Sequence, residues 1–237
     1  MKPAERIIVA LDTPNPAIAL DIAKEISPVI RRVKVGMELY YSEGPSIVNE
    51  LSSLGMEVFV DLKIHDIPNT AIGAAKSLTR HGVWMWNVHV AGGLLMMQKA
   101  KEAAQEISNQ LNIPMPIVIG VTQLTSTSQN IMNQYIGIPG EVKDCVVRYA
   151  KLAKQAGLDG VVASAQEVPF IKEACGKEFL TITPGIRMSN SEVHDQVRIT
   201  TPRQAMDLGT DYMVIGRNIT DASNRLQAAK DIIQSMK

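Results

Sequence analysis

"VFVDLKIHDIP", residues 58–68, begins as a buried strand in Val58, Phe59 and Val60 and ends in a cluster of charge. Asp61, Lys63 and Asp66 fall within six positions, with His65 among them. A parallel strand covered on both faces reads as a near-continuous apolar run, and an unpaired charge inside it is costly. The charges therefore belong where the strand leaves the core. In a sheet of parallel strands that is the C-terminal rim, the edge whose loops carry chemistry.

The rest of the chain repeats the pattern. Strand-like runs occur at 6–12, 32–37, 57–63, 84–90, 116–122, 160–164, 179–186 and 211–217. Between them lie amphipathic segments such as "PAIALDIAKEIS", "GPSIVNELSSLG", "TAIGAAKSLTRHG" and "EVKDCVVRYAKLAKQAG", several of which stop at a glycine just past the last helical turn. Strict alternation of strand and helix implies parallel strands with crossover helices. Eight such units in 237 residues predict a single α/β domain, a (β/α)8 TIM barrel spanning residues 1–237. No linker or low-complexity tract divides it. Two polar excursions, 123–140 after strand 5 and 187–200 after strand 7, are long loops on the chemical rim.

Composition narrows the partners. Hydrophobic residues make up 46% of the chain and aromatics 4%, so the expected core is aliphatic. Twenty-four basic residues balance 24 acidic ones, which gives no electrostatic case for nucleic acid or an anionic membrane surface. No stretch is long enough to span a bilayer, and the first apolar run is too short for a signal peptide. Cys145 and Cys175 show no metal-type spacing and suit a reducing compartment, so a cytoplasmic protein is expected.

Sorted by strand, the unusual polar residues share one rim: Asp12, Lys34, Asp61, Lys63, Asn87, His89, Thr122, Thr125, Arg187, Gly216 and Arg217. Asp61 and Lys63, two positions apart, should point to one side of their strand. Their bland reading is an ion-pair network closing the barrel mouth. A lysine between carboxylates is expected to keep its proton, which suits a proton donor and not a Schiff-base nucleophile. A fixed carboxylate can also repel a substrate carboxylate. The set suits a reaction that sheds a negative group and then takes up a proton. "TPGIR" (183–187) and "IGRNIT" (215–220) follow strands 7 and 8, where such barrels often hold phosphate. His65, His81, His89 and His194 show no metal spacing, and neither a P-loop nor a GxGxxG fingerprint is present.

"DLKIHDIPNT" (61–70) resembles the D-x-K-x-x-D signature of the orotidine 5′-phosphate decarboxylase family, in its short bacterial form. "VALD" (9–12), "VKVGMELYY" (33–41), "NVHVAGG" (87–93), "VTQLTS" (121–126), "TPGIRM" (183–188), "DQVR" (195–198) and "VIGRNIT" (214–220) extend the resemblance in the family's order. It implies a homodimer that converts orotidine 5′-monophosphate to uridine 5′-monophosphate and CO2, in pyrimidine nucleotide biosynthesis, without metal or organic cofactor. It implies Lys63 as proton donor, Asp61 beside the departing carboxylate, and a catalytic series Lys34, Asp61, Lys63, Asp66. Asp66, Ile67 and Thr70 match positions given to the neighbouring subunit's site. Asp12 and Lys34 would touch ribose, and Thr125 or its neighbour Ser126 the base. Pro184 would be a substrate contact, Gln196, Gly216 and Arg217 would bind phosphate, and Arg187 would open the loop that closes over it. Val90 stands where a smaller residue is expected.

Related sugar-phosphate enzymes, such as 3-keto-gulonate-phosphate decarboxylase and hexulose-phosphate synthase, share D-x-K-x-x-D but use Mg2+. They place a carboxylate at the strand 2 position where this chain has Lys34, and a lysine there repels a metal. A non-catalytic phosphate-binding barrel would need the phosphate grip but not Asp61, Lys63 and Asp66 together.

Overall fold

The computed structural model describes residues 1–188 and 200–237. Eight parallel strands close into a barrel in chain order: β1 (Ile7–Ala10), β2 (Arg32–Gly36), β3 (Glu57–Ile64), β4 (Met85–His89), β5 (Ile117–Val121), β6 (Gly160–Val162), β7 (Leu180–Thr183) and β8 (Tyr212–Ile215). The expected (β/α)8 architecture is the one found. β1 closes the ring by pairing with β8, Ile7 opposite Met213 and Val9 opposite Ile215.

Helices α1 (Pro16–Ile26), α2 (Met37–Glu43), α3 (Ser46–Ser53), α4 (Pro68–Arg80), α5 (Gly93–Leu111), α6 (Val142–Gln155) and α7 (Val168–Cys175) follow the first six strands. Three more, α8 (Pro202–Asp207), α9 (Arg217–Thr220) and α10 (Arg225–Ser235), complete the chain. Asn15 caps α1 by accepting from the Ala17 and Ile18 N–H groups, and Pro16 occupies the first turn where no donor is needed. Gly82 and Gly157, at φ +66° and +81°, take the left-handed conformation just beyond α4 and α6. The methionines of "LLMMQKAKEAAQEI" pack as expected: Met96 and Met97 are buried on α5 with Ala100, Ala103 and Ala104.

Alternation along the strands separates two apolar layers. Val33, Val35, Val58 and Val60 pack outward against the helices. Ile8, Phe59, Met85, Ile119, Ile182 and Tyr212 fill the barrel interior. β2 is the exception, because its interior positions hold Arg32 and Lys34. At the lower end Arg32 lies 4.7 Å from the Trp84 ring centre and 5.3 Å from that of Tyr212, and pairs with Glu57 at 2.6 Å. Val90 is fully buried, and its Cγ2 fills the space beside Gly120 that a Cβ there would need. The larger residue is accommodated by the absence of a side chain across from it.

The lower rim carries a motif used twice. Asp159, just before β6, accepts from the Val118 N–H of β5 and from Lys101 of α5. Asp211, just before β8, accepts from the Thr181 N–H of β7 at 2.8 Å and from Lys172 of α7 at 2.6 Å. Each aspartate ties a helix to two neighbouring strands, two units apart along the chain. Asp211 is the more enclosed, 19% exposed at its side chain against 35% for Asp159. Removing it leaves the Thr181 N–H without its acceptor and the Lys172 ammonium with only the Lys177 and Phe179 carbonyls, at a cost of about 1–3 kcal/mol. Asp211→Ala should lower the melting temperature by about 2–12 °C, and Asp159→Ala by less. Scanning calorimetry of the two variants checks both the size and the order.

Candidate active site

The opposite rim concentrates charge. Lys34 lies in register with Ala10 on one side and Phe59 on the other, so its side chain rises through the barrel interior. Its Nζ is 2.7 Å from Asp12 Oδ1, at the end of β1, and 3.5 Å from Asp61 Oδ2 on β3. Asp61 Oδ1 in turn lies 2.9 Å from Lys63 Nζ. The result is a continuous series, Asp12, Lys34, Asp61, Lys63, across three adjacent strands. Gly36 makes room for it, since a Cβ there would sit 3.0 Å from both Asp12 Oδ1 and Lys34 Nζ.

Burial favours the neutral forms of both central groups, and the neighbours outweigh it. Burial opposes the Lys34 ammonium, yet Asp61 and Asp12 hold its pKa above the usual lysine value. Burial likewise opposes the Asp61 carboxylate, while Lys34 and Lys63, with hydrogen bonds from Lys63 and Asn87, hold it below the usual range. The depressed Asp61 contributes stability above its unfolded pKa and loses it as pH falls. The raised Lys34 contributes below its own and loses it as pH rises. Across the neutral range both stay charged.

Lys63 does not sit in a regular strand. Its φ is +52°, a left-handed conformation that a side chain rarely adopts, and the β3–β4 register shifts between Val60 and Ile64. The simple two-residue alternation expected for Asp61 and Lys63 is therefore broken, although Lys63 Nζ still reaches Asp61. The Lys63 N–H, lost to the ladder, donates to Asn87 Oδ1 at 2.7 Å, and Asn87 Nδ2 donates to Asp61 Oδ1 at 2.7 Å. Asn87, on β4 and 1% exposed, was legible in the sequence only as a polar residue at a strand end.

Asp66 stands apart. It is exposed, makes no ion pair among the described residues, and its Oδ1 accepts from the Ile67 N–H at 2.7 Å. Within one chain the series runs Asp12, Lys34, Asp61, Lys63, and Asp66, which the resemblance gives to the neighbouring subunit's site, is not joined to it. Ile67 and Thr70, at the start of α4, are also exposed. His65 and His89 lie with ring centres 5.5 Å apart. Burial, then His65 and Lys63, depress the His89 pKa, and its buried Nδ1 has no hydrogen-bond partner among the described residues. No cluster of three metal-ligating side chains occurs among the described residues.

The remaining expected residues, Gln196 apart, lie on the same rim. Thr125 is half-buried and Ser126 exposed, in a turn closed by the Thr127 N–H donating to Leu124 O at 2.8 Å. Pro184 and Arg187 follow β7, half-buried. The Arg187 N–H donates to Thr200 O at 3.0 Å, joining the two ends of the excursion after β7. Gln196 lies outside the described residues. Gly216 and Arg217 follow β8, next to β1 and so beside the Asp12 end of the charge series.

Comparison with known proteins places this geometry in a family. Residues 5–232 match the model described as "Orotidine 5'-phosphate decarboxylase / HUMPS family". A protein of Syntrophomonas wolfei named orotidine 5'-phosphate decarboxylase is 48% identical over 238 residues, covering 100% of both chains. One of the same name from Bacillus cereus is 48% identical over 231 residues, 98% of this chain and 97% of its own. A crystal structure of orotidine 5'-phosphate decarboxylase from Lactobacillus acidophilus superposes with a TM-score of 0.87 at 34% identity, covering 98% of this chain and 99% of that one. With its barrel, its D-x-K-x-x-D strand and near-complete coverage by these relatives, the chain belongs to the orotidine 5'-phosphate decarboxylase / HUMPS family.

Proposed function

We propose that this chain decarboxylates orotidine 5′-monophosphate to uridine 5′-monophosphate, using fixed charges and no metal. The observation that carries the proposal is Asp61 held ionised between the Lys34 and Lys63 ammonium groups at the barrel mouth. With the substrate carboxylate beside Asp61, two negative charges about 4 Å apart repel by about 4 kcal/mol at an effective dielectric of 20. Loss of CO2 breaks the bond to C6, relieves that repulsion and leaves an electron pair on the carbon. The adjacent Lys63 ammonium stabilises the pair as it forms and transfers a proton to C6, and water then restores the lysine. Lys34 supports the metal-free reading, because its ammonium fills the position between Asp12 and Asp61 that a bound cation would need. No helix among the described residues is long and apolar enough to cross a membrane.

Asp12 and Lys34 are read as ribose contacts and the Thr125–Ser126 turn as the base contact. Gln196, Gly216 and Arg217 are read as the phosphate end, Pro184 as a further substrate contact, and Arg187 as opening the loop beside the phosphate. Phosphate lies away from the reacting carbon, so its binding energy acts through positioning. Arg217→Ala should therefore reduce kcat/KM for the 5′-phosphate far more than for bare orotidine, measured by loss of pyrimidine absorbance. Equal proportional losses on the two substrates would remove Arg217 from the phosphate site.

The exposed Asp66 supports a two-fold dimer with shared sites. Met37 and Tyr41 on α2, Ile67 before α4 and Leu95 on α5 are exposed and follow three consecutive strands on the same rim. A two-fold interface over these residues would carry Asp66, Ile67 and Thr70 toward the partner's Lys63. Lys63→Ala and Asp66→Ala should each be nearly inactive alone while still binding uridine 5′-monophosphate. After mixing and re-pairing, roughly half the dimers are heterodimers, each with one doubly defective and one intact site. Activity should recover to about a quarter of wild type. No recovery after verified subunit exchange would place Asp66 in its own chain's site.

A further inference from the structure

We infer that Asn87 is a positioning residue for the reaction: its single side-chain amide sets the spacing of Asp61 and Lys63. Its carbonyl accepts from the Lys63 N–H and its amino group donates to Asp61 Oδ1, both at 2.7 Å. The orientation of the amide follows from its partners. Only an acceptor can face a backbone N–H, so the amino group must face the carboxylate. The residue stands on β4, is 1% exposed, and is hydrogen-bonded at both ends, so it has no freedom to drift.

The backbone makes this link necessary. Lys63 holds a left-handed conformation at φ +52°, and such strain persists only when its surroundings over-determine it. The register shift between Val60 and Ile64 takes the Lys63 N–H out of the β3–β4 ladder, and the Asn87 carbonyl supplies its acceptor. The same amide gives Asp61 a second donor without adding a charge. Asp61 Oδ1 thus receives Lys63 Nζ at 2.9 Å and Asn87 Nδ2 at 2.7 Å, while Oδ2 faces Lys34. An asparagine suits the task because it alone combines a donor and an acceptor at this length with no net charge.

The inference rests on reading Asp61 and Lys63 as the reacting pair, and its test separates the two. Asn87→Ala and Asn87→Asp are compared with wild type and Lys63→Ala for turnover of orotidine 5′-monophosphate from about pH 8 to about pH 5.5. Binding of uridine 5′-monophosphate serves as the control for folding. Asn87→Ala should lose about a hundredfold in kcat while product affinity stays within about threefold, because the amide touches the catalytic pair and not the ribosyl phosphate. Asn87→Asp keeps the shape but turns a carboxylate toward Asp61. Its kcat relative to wild type should be lowest at high pH and rise as the introduced carboxyl gains a proton and becomes a donor. A merely structural role would give no such pH signature, and this isosteric variant decides the matter if the alanine variant does not fold. Wild-type kcat and pH profile in Asn87→Asp, beside an inactive Lys63→Ala, would overturn the role of Asn87 alone. Retained turnover in Lys63→Ala would overturn the reading beneath it.

Discussion

A carboxylate buried at the end of a core strand must be compensated or give up its charge, and most of this molecule's upper rim follows from how Asp61 is compensated. Desolvating an ion costs several kcal/mol, so burying Asp61 with one ammonium would leave it marginal. Two ammonium groups and one amide surround it instead. Each partner brings its own requirement. Lys34 needs Asp12 as a second acceptor and Gly36 as empty space. Lys63 needs a strained backbone and Asn87 to hold it. Replacing the whole set by packed apolar residues would cost the fold little, since buried ion pairs are weak stabilisers. Stability therefore does not account for their presence.

The two ends of the barrel divide the work. At the lower rim, charges are satisfied locally and serve to bind helix to strand, as in Asp159 with Lys101 and Asp211 with Lys172. Those aspartates also accept a strand N–H, so each closes a backbone deficit. At the upper rim the charges are joined to one another across strands, and the series opens to solvent at Asp12. β2 illustrates the contrast within five residues: Arg32 plugs the bottom against two aromatic rings, while Lys34 reaches the mouth. One strand thereby contributes a cation to each end of the barrel.

Most of the barrel was legible because strand and helix periods are written in single side chains. β3 was expected at 57–63 and runs Glu57–Ile64; the helices at "TAIGAAKSLTRHG" and "EVKDCVVRYAKLAKQAG" end at the glycines that marked them. Placement of polar residues at strand ends likewise found Asp12, Lys34, Asp61 and Lys63 together. Two features were not legible, each for a physical reason. The left-handed Lys63 has no glycine to announce it, because its conformation is imposed by a neighbour on another strand. Asn87 looked like any polar strand end, since a hydrogen bond that bridges a side chain and a backbone leaves no periodic trace. Asp66 was assigned by the resemblance to the neighbouring subunit's site, and its side chain is exposed and joins no ion pair among the described residues.

The claim on which everything else stands is that the fixed array around Asp61 suffices for decarboxylation. The most direct measurement follows release of CO2 and formation of uridine 5′-monophosphate from orotidine 5′-monophosphate by the unmodified chain, before and after treatment with excess chelator. The charge array predicts the two products in equal amounts at a rate that the chelator leaves unchanged. Failure to release CO2, or turnover that vanishes on chelation and returns with Mg2+, would contradict it.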